Sequence, residues 1–155
     1  MRGRRSCSSS DGEVHASRRS LVFSIAPRWM DEILVLRKTV ELRRRPPRIA
    51  TRVEAYLYET RPECRLRARC LMGPVISAPV QDLWDAVGHK ASVTREEFDR
   101  YFSGVGLAHA INIDAVQELA PAIPLDLLRK LAAFQPPQSW CVASDGLLLL
   151  LRSRG

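Results

Sequence analysis

The chain has 155 residues, a formal net charge of +7 and an apolar content of 46%, which is the size and composition of one globular domain. Because aromatic residues make up only 6% of the chain and ten prolines interrupt it, we expect short elements joined by turns rather than a pure helical bundle. The apolar runs at 21–26 and 147–151 are shorter than the roughly 20 residues that cross a bilayer, and the first 19 residues lack the apolar region of a signal peptide. We therefore expect a cytoplasmic protein without a membrane segment.

The positive charge is concentrated in two segments. Residues 1–19 carry five arginines against two acids in a Ser-rich sequence, which predicts a disordered basic tail. Residues 37–69 carry eleven Arg or Lys against four acids, whereas the rest of the chain has more acids than bases. A local basic patch of this kind is typical of proteins that bind polyanions, nucleic acid above all.

Cysteine and histidine usage predicts neither a disulfide nor a metal site. The four cysteines form no CxxC pair, and the three histidines are scattered along the chain. Cys64 and Cys70 would lie about 20 Å apart on one predicted strand, which is too far for a disulfide. We expect a reducing compartment, no metal and no cofactor.

The first predicted elements are a short buried strand and a helix. The strand ends at Pro27, which suits the first position of a helix because its fixed φ is already helical. Trp29, Ile33 and Leu36 follow at helical spacing, which predicts that all three face the core. From residue 38 to residue 72 apolar residues alternate with charged ones, as in strands that have one buried face. Three sequential strands of this kind favour an antiparallel meander or a barrel.

The second half of the chain begins with two predicted helices. Gly88 ends the first, and Thr94 with Glu97 forms a capping box at the start of the second. The predicted buried stripe of that second helix consists of Phe98, Tyr101 and Phe102. A strand, a short helix and a last strand after a turn are predicted over residues 107–119, 124–134 and 135–144.

Together these elements predict an α+β fold. We expect a small, mostly antiparallel β-barrel with helices covering its ends, over residues 20–144. Residues 145–155 contain five consecutive leucines and are expected to form a C-terminal tail or an extra strand. Leucines left exposed there would favour aggregation or the docking of a partner.

Three segments carry a resemblance to a known family. They are "SIAPRWMDEILVLRKTVELRRR", "VISAPVQDLWDAVGHKASVTREEFDRYFSG" and "AIPLDLLRKLAAFQPPQSW", and they resemble the ASCH family, whose fold is a PUA-like β-barrel. The family's early signature, G-x-K-x-x-E-x-R, falls on Lys38, Glu41 and Arg43, with Leu36 in place of the glycine. Its late signature, an aromatic residue followed by x-P-P-Q-S and a second aromatic, falls on Phe134, Pro136, Pro137, Gln138, Ser139 and Trp140.

The early motif places one carboxylate among cations. Glu41 between Lys38 and Arg43 would hold both cations in fixed rotamers and leave their other donors for a ligand, and it could also accept an amino proton from a base. The alternative is a strand-face ion pair that contributes little. Lys38 begins a predicted strand, so we expect its side chain to fill no core space. Two departures from the family pattern, Leu36 and Ala26, alter the edge of the expected pocket.

The resemblance implies a nucleic-acid-binding module. The residues expected to bind are Lys38, Glu41, Arg43, Arg65, Arg67, Arg69, Gln138, Ser139 and Trp140. Three of them, Arg65, Arg67 and Arg69, share one strand face and could follow phosphates, although a solvated face explains them equally well. Trp140 is expected to stack on a base, with a core role as the alternative, whereas Trp29 is expected in the core.

Single-stranded or modified RNA is the expected ligand, favoured over DNA. A transcriptional regulator that binds duplex DNA is a variant of this interpretation. The helix that begins after Thr94 is acidic, however, and acidic residues do not suit a major groove. A third interpretation is that the basic face binds an acidic protein partner.

A small hydrolase acting on an acylated nucleoside or on RNA is the alternative function. Some ASCH relatives hydrolyse an acylated cytidine with a lysine, a threonine nucleophile and a glutamate, but the threonine position is Glu41 here. Thr39 has the opposite strand parity to Lys38, so this amidohydrolase mechanism is not expected. In a ribonuclease, Lys38 and Glu41 would serve as acid and base, although neither motif contains a histidine.

Overall fold

The computed structural model describes residues 19–155. The predicted basic tail lies outside the described residues, except for Arg19. Six strands form a single sheet, and their bounds are β1 Leu21–Ile25, β2 Val40–Arg43, β3 Val53–Glu59, β4 Arg65–Ala78, β5 Ala108–Pro124 and β6 Trp140–Val142. Five helices pack around the sheet, and their bounds are α1 Pro27–Leu34, α2 Val80–Val87, α3 Arg95–Tyr101, α4 Leu125–Ala132 and α5 Asp145–Ser153. Within residues 19–155, no helix has the length and apolar composition needed to cross a membrane.

The sheet has the strand order β2-β5-β4-β3-β1-β6 and curls into a half-barrel. Strands β1 and β3 pair in parallel, and every other neighbouring pair is antiparallel. The predicted α+β, mostly antiparallel and barrel-like fold is therefore confirmed. The barrel is open, because the edge strands β2 and β6 do not pair with each other.

Of the two predicted arrangements, a meander or a barrel, the meander does not hold for β2, which pairs with β5 and not with β3. Alternation identifies the buried face of a strand but not its neighbour in the sheet. Val40 and Leu42 bury their side chains with Ala108 and Ala110 of β5, in a core cluster beneath α2 and α3. This placement carries β2 to the far edge of the sheet.

The helices are placed by sequence signals at their ends. Pro27 is the first residue of α1, as predicted. The Thr94 hydroxyl accepts a hydrogen bond from the Glu97 amide at 3.1 Å, and the Glu97 carboxylate accepts one from the Thr94 amide at 2.8 Å, which confirms the capping box of α3. Helices α1 and α3 stand beside the ends of β1 and β2, where they form the walls of a cavity.

The C-terminal segment forms a helix, α5, where the sequence was expected to give a tail or an extra strand. Ser144 caps α5 by accepting a hydrogen bond from the Leu147 amide at 3.1 Å. Leu147 and Leu150 are buried in the core cluster that α4 and α5 share with one face of the sheet. Leucine is a strong helix former, and the spacing of three between these residues matches one helical face. Leu149 remains 64% exposed.

Candidate functional site

A cavity of about 430 Å³ opens between the ends of β1 and β2 and the helices α1 and α3. This volume is in the range of small-molecule and nucleotide sites. The cavity lining includes five charged side chains and three aromatic rings, namely Lys38, Glu41, Arg43, Glu97, Arg100, Trp29, Phe98 and Tyr101. The structure thus places all three residues of the early motif in one cavity.

The three charged groups of the early motif form a buried ion cluster with a net charge of +1. The Lys38 ammonium donates a hydrogen bond to the Ala91 carbonyl at 2.9 Å and lies 3.6 Å from Glu41 Oε2. Arg43 Nη2 lies 3.0 Å from Glu41 Oε1. Their side chains are 3%, 9% and 11% exposed for Lys38, Glu41 and Arg43. Burial in this cluster lowers the pKa of Lys38, and the neighbouring Glu41 carboxylate opposes that shift.

The expectation that Lys38 fills no core space is wrong. Its side chain is buried and turns inward against α1, where its ammonium lies 5.2 Å from the centroid of the Trp29 ring. Strand β2 begins only two residues later, at Val40. A lysine in such a place is stabilised by its partners, here the Ala91 carbonyl and the Glu41 carboxylate. The burial makes Lys38 part of the packing as well as part of the cavity.

The early and late motifs meet at Arg43. Its Nη1 donates to the Ser139 hydroxyl at 3.1 Å, and its Nη2 donates to the Ser24 carbonyl at 2.9 Å. The Ser24 hydroxyl in turn donates to the Pro137 carbonyl at 2.6 Å. Ser139 therefore supports the guanidinium that lines the cavity.

None of the three late-motif residues predicted to bind, Gln138, Ser139 and Trp140, lines the cavity. Gln138 is exposed, and the Trp140 indole donates to the Arg45 carbonyl at 3.0 Å while its ring packs against the core. This packing agrees with the alternative core role of Trp140.

Two buried polar atoms of the cluster lack hydrogen-bond partners, Glu41 Oε2 and Arg43 Nε. A buried polar group without a partner costs about 1–3 kcal/mol, and folded proteins contain few of them. One atom is an acceptor and the other a donor, in residues that both line the cavity. Glu41 Oε2 is compensated by its ion pair with the Lys38 ammonium at 3.6 Å, which leaves Arg43 Nε as the unmatched donor of the cluster.

Trp29 is a cavity residue that the sequence analysis assigned to the core alone. Its ring is half-buried against the core and also lines the cavity. The Arg28 guanidinium lies 3.9 Å from the ring centroid of Trp29, and a bidentate pair with Glu97, at 2.7 and 3.2 Å, holds it there. The Lys38 ammonium lies 5.2 Å from the same centroid.

Tyr101 is a second residue that was missed, because helical spacing placed it in the buried stripe of α3. It is 40% exposed and lines the cavity, and its hydroxyl donates to the Leu42 carbonyl at 3.2 Å. Phe98 and Phe102 are buried as predicted. The hydroxyl was the available signal, since a phenol at a helix end needs a polar neighbour.

Leu36 shows the backbone conformation that the family's glycine would permit. Its φ is 61°, in the left-handed region, and its side chain is 64% exposed. The prediction that Leu36 faces the core is therefore wrong, because α1 ends at Leu34. Ala26, the other departure, precedes α1 and lines the cavity without offering a polar side chain.

The arginines of β4 do not line the cavity, and two of them are paired with acids. Arg65 Nε and Arg67 Nη1 each donate to the Glu59 carboxylate at 2.7 Å, and Glu59 is only 1% exposed. Arg67 also pairs with Asp31 at 2.9 Å. Arg69 donates to a glutamine and lines a larger and separate cavity of about 700 Å³ beside α5. A phosphate-binding role for this strand face stays a prediction.

His109 lies closer to the early motif than its place in the sequence indicates. It pairs with Arg43 across β2 and β5, and its Nδ1 is 2.7 Å from the Ser77 hydroxyl. Strand register brings it there, and register is not visible in the sequence. Among residues 19–155, no group of three or more acids, histidines and cysteines could hold a metal ion.

The chain is similar to proteins of known structure. It is 33% identical over 123 residues to an ASCH domain-containing ribonuclease from Zymomonas mobilis, over 79% of this chain and 82% of that relative. The crystal structure of ASCH from Zymomonas mobilis superposes with a TM-score of 0.81 and 31% identity, covering 88% of this chain and 95% of that one.

More distant comparisons add only the fold. The N-terminal domain of Staphylothermus marinus McrB has a TM-score of 0.54 at 10% identity, over 89% of this chain and 95% of that one. No family model matches the chain. The identity and coverage of the Zymomonas mobilis relative are nevertheless high enough to show that the chain belongs to the ASCH domain family.

Proposed function

We propose that this protein binds nucleic acid, single-stranded or modified RNA in preference to DNA, through the cavity that holds Lys38, Glu41 and Arg43. The observation that carries the proposal is the buried ion cluster of net charge +1 that lines this cavity. The relative from Zymomonas mobilis is named as a ribonuclease, which supports RNA as the ligand.

The chemistry of the cavity suits an unstacked nucleotide. Single-stranded RNA presents bases that aromatic side chains can stack on and polar groups can read. Trp29 and Tyr101 supply aromatic surface, and the Glu41 carboxylate with its two cations supplies acceptors and donors. Arg100 lines the same cavity and is exposed, and its guanidinium, which pairs with Glu96 at 2.9 Å, can exchange that exposed partner for a phosphate.

The test is the affinity of a fluorescently labelled single-stranded RNA for the wild type and for Lys38→Met, measured by anisotropy. Methionine keeps the volume of the buried stem and removes the ammonium. The matched control is Lys90→Met, since Lys90 is exposed and outside the cavity lining. We expect at least a tenfold loss of affinity for Lys38→Met and little change for the control. Equal affinities for both variants would refute the cavity as the binding site.

Cleavage of RNA is the second candidate, favoured by the ribonuclease-named relative and by His109 beside Arg43. Burial lowers the pKa of Lys38, so a larger fraction of its amine is unprotonated and able to accept a proton than for an exposed lysine. The second nitrogen of His109 has no hydrogen-bond partner among residues 19–155, so it is free to transfer a proton.

The anisotropy samples distinguish the two candidates when the RNA is sized afterwards. Intact RNA supports a binding module, and shortened RNA supports a nuclease. In the second case His109→Ala should lose cleavage and keep its RNA affinity within about twofold, since His109 does not line the cavity. A labelled DNA of the same sequence tests the preference for RNA, and DNA affinity equal to that of RNA would contradict it.

A further inference from the structure

The cavity of about 700 Å³ beside α5 (the α5 cavity) shares no lining residue with the cavity that holds Lys38. Its floor is one row of side chains across three strands, because Tyr56 of β3 pairs with Arg69 of β4, and Arg69 pairs with Gln117 of β5. Directly paired residues project from the same face of a sheet. The C-terminal half of α5 forms one wall. A ligand in the α5 cavity would therefore occupy a site of its own.

Three arginines line the α5 cavity, Arg69, Arg152 and Arg154. Within residues 19–155, none of them forms an ion pair with an acidic side chain or with the carboxyl group of Gly155. Arg69 Nε donates to the Gln117 side chain at 2.7 Å, which orients the guanidinium and leaves its two Nη groups for another acceptor. Arginines that converge on a concave surface without acid partners are available to an anion.

The two acids of the lining have other partners. The Tyr56 hydroxyl donates a hydrogen bond to Glu54, and Glu118 accepts one from Arg67 at 3.2 Å. Three guanidinium groups and two carboxylates give the lining side chains a net charge of +1. The acids therefore reduce the positive charge of the α5 cavity without occupying its arginines.

Apolar walls surround these cations. They are formed by Leu148 and Leu151 of α5 and by Ile123 of β5. Burial raises the pKa of the Tyr56 phenol to about 12, and the charges of Arg69 and Arg152 oppose that shift, so both guanidinium groups lie near the same part of the floor. Because apolar walls reduce the screening of charges, they strengthen the attraction between an anion and the guanidinium groups.

We infer that the α5 cavity is a second binding site, which takes a phosphate group carried by a larger molecule. Guanidinium groups bind phosphate oxygens through pairs of parallel hydrogen bonds, a geometry that few other side chains offer. The volume is in the range of nucleotide-sized ligands, so there is room for the body that carries the phosphate. That body is either a free phosphate ester or the backbone of a nucleic acid. The inference goes beyond the proposed function, because it concerns other residues on another part of the sheet.

The experiment compares two double variants that lose the same charge. Arg152→Gln with Arg154→Gln removes two cations of the α5 cavity. The matched control, Arg129→Gln with Lys130→Gln, removes two exposed cations of α4 that lie outside the lining. Inorganic pyrophosphate is titrated into each protein in a calorimeter, and a labelled single-stranded RNA is followed by anisotropy, both at physiological salt. Melting followed by circular dichroism checks that both variants fold.

We expect pyrophosphate to bind the wild type, and to bind the α5 variant at least about tenfold more weakly, because each guanidinium supplies charge-assisted hydrogen bonds. The α4 control and Lys38→Met should stay within about twofold of the wild type. A loss of RNA affinity in the α5 variant, beyond that of the control, assigns the phosphate to a nucleic acid backbone. Equal RNA affinities with weakened pyrophosphate binding assign it to a free phosphate ester.

The inference is overturned if the two double variants are indistinguishable with both probes. If RNA fails to bind the wild type, the proposed function fails, whereas the pyrophosphate titration still decides whether the α5 cavity is a phosphate site.

Discussion

Replacing Leu36 by glycine is expected to stabilise the protein. Leu36 follows α1 with a φ of 61°, a conformation that costs an L-residue about 1–2 kcal/mol. Glycine adopts it without that penalty, although it loses about 0.5–1 kcal/mol more conformational entropy on folding. The side chain is 64% exposed, so little apolar burial is lost. The net gain should be about 0.5–1 kcal/mol, which raises Tm by about 1–4 °C in a protein of this size.

Urea denaturation followed by tryptophan fluorescence measures this change, and the adjacent residue provides the control. Val35 is 55% exposed with a φ of −93°, so Val35→Gly removes a similar exposed side chain without relieving strain. That control should lose about 0.5–1 kcal/mol. If Leu36→Gly loses as much stability as Val35→Gly, left-handed strain at Leu36 is not the source of the effect.

Three further changes test other parts of the structure. Gly73 has a φ of 114°, and a Cβ there would collide with the Thr51 carbonyl, so Gly73→Ala should cost about 2–4 kcal/mol in chemical denaturation; an unchanged midpoint would contradict this. The Arg28 guanidinium of α1 lowers the pKa of the Glu97 carboxyl to about 2 from an ordinary 4.5. The contribution of this ion pair to the stability of the fold is therefore complete above pH 4.5 and is lost as the pH falls towards 2. Glu97→Gln should therefore show a smaller loss of Tm between those pH values than the wild type, and equal losses would refute the assignment. Arg67→Met removes one of the two cations that pair with buried Glu59, so the free energy of unfolding should fall by about 1–3 kcal/mol. The RNA affinity of this variant should stay within twofold of the wild type. A large loss of RNA affinity would instead indicate that the β4 arginines belong to the binding surface.

Sequence patterns were sufficient for the fold class and for most elements, but not for α5 or for the neighbours of each strand. Pro27 and the Thr94–Glu97 box mark helix starts through local backbone chemistry, so they are visible in one segment. The pairing of β2 with β5 depends on which buried faces fit together across the whole domain. The start of α5 carries a local signal as well, since Ser144 is a good N-cap residue and the five leucines that follow are strong helix formers.

The candidate site was predictable as far as the motif residues and no further. Lys38, Glu41 and Arg43 share a cavity as the family resemblance implied. Trp29 shows why the other lining residues were not predictable from the sequence. Its ring sits at a core position of α1, and it also lines the cavity because α3 packs on the opposite side of that cavity. His109 reaches Arg43 through register alone.

The contacts that build the cavity join distant parts of the chain. Ser139 meets Arg43 across 96 positions, and Ser24 meets Pro137 across 113. The edge strand β6 pairs with β1, so the chain must leave the ribosome as far as Val142 before that edge can form. High contact order of this kind slows folding. A nascent or C-terminally truncated chain will therefore lack an assembled ligand site, and the site will appear together with the completed fold.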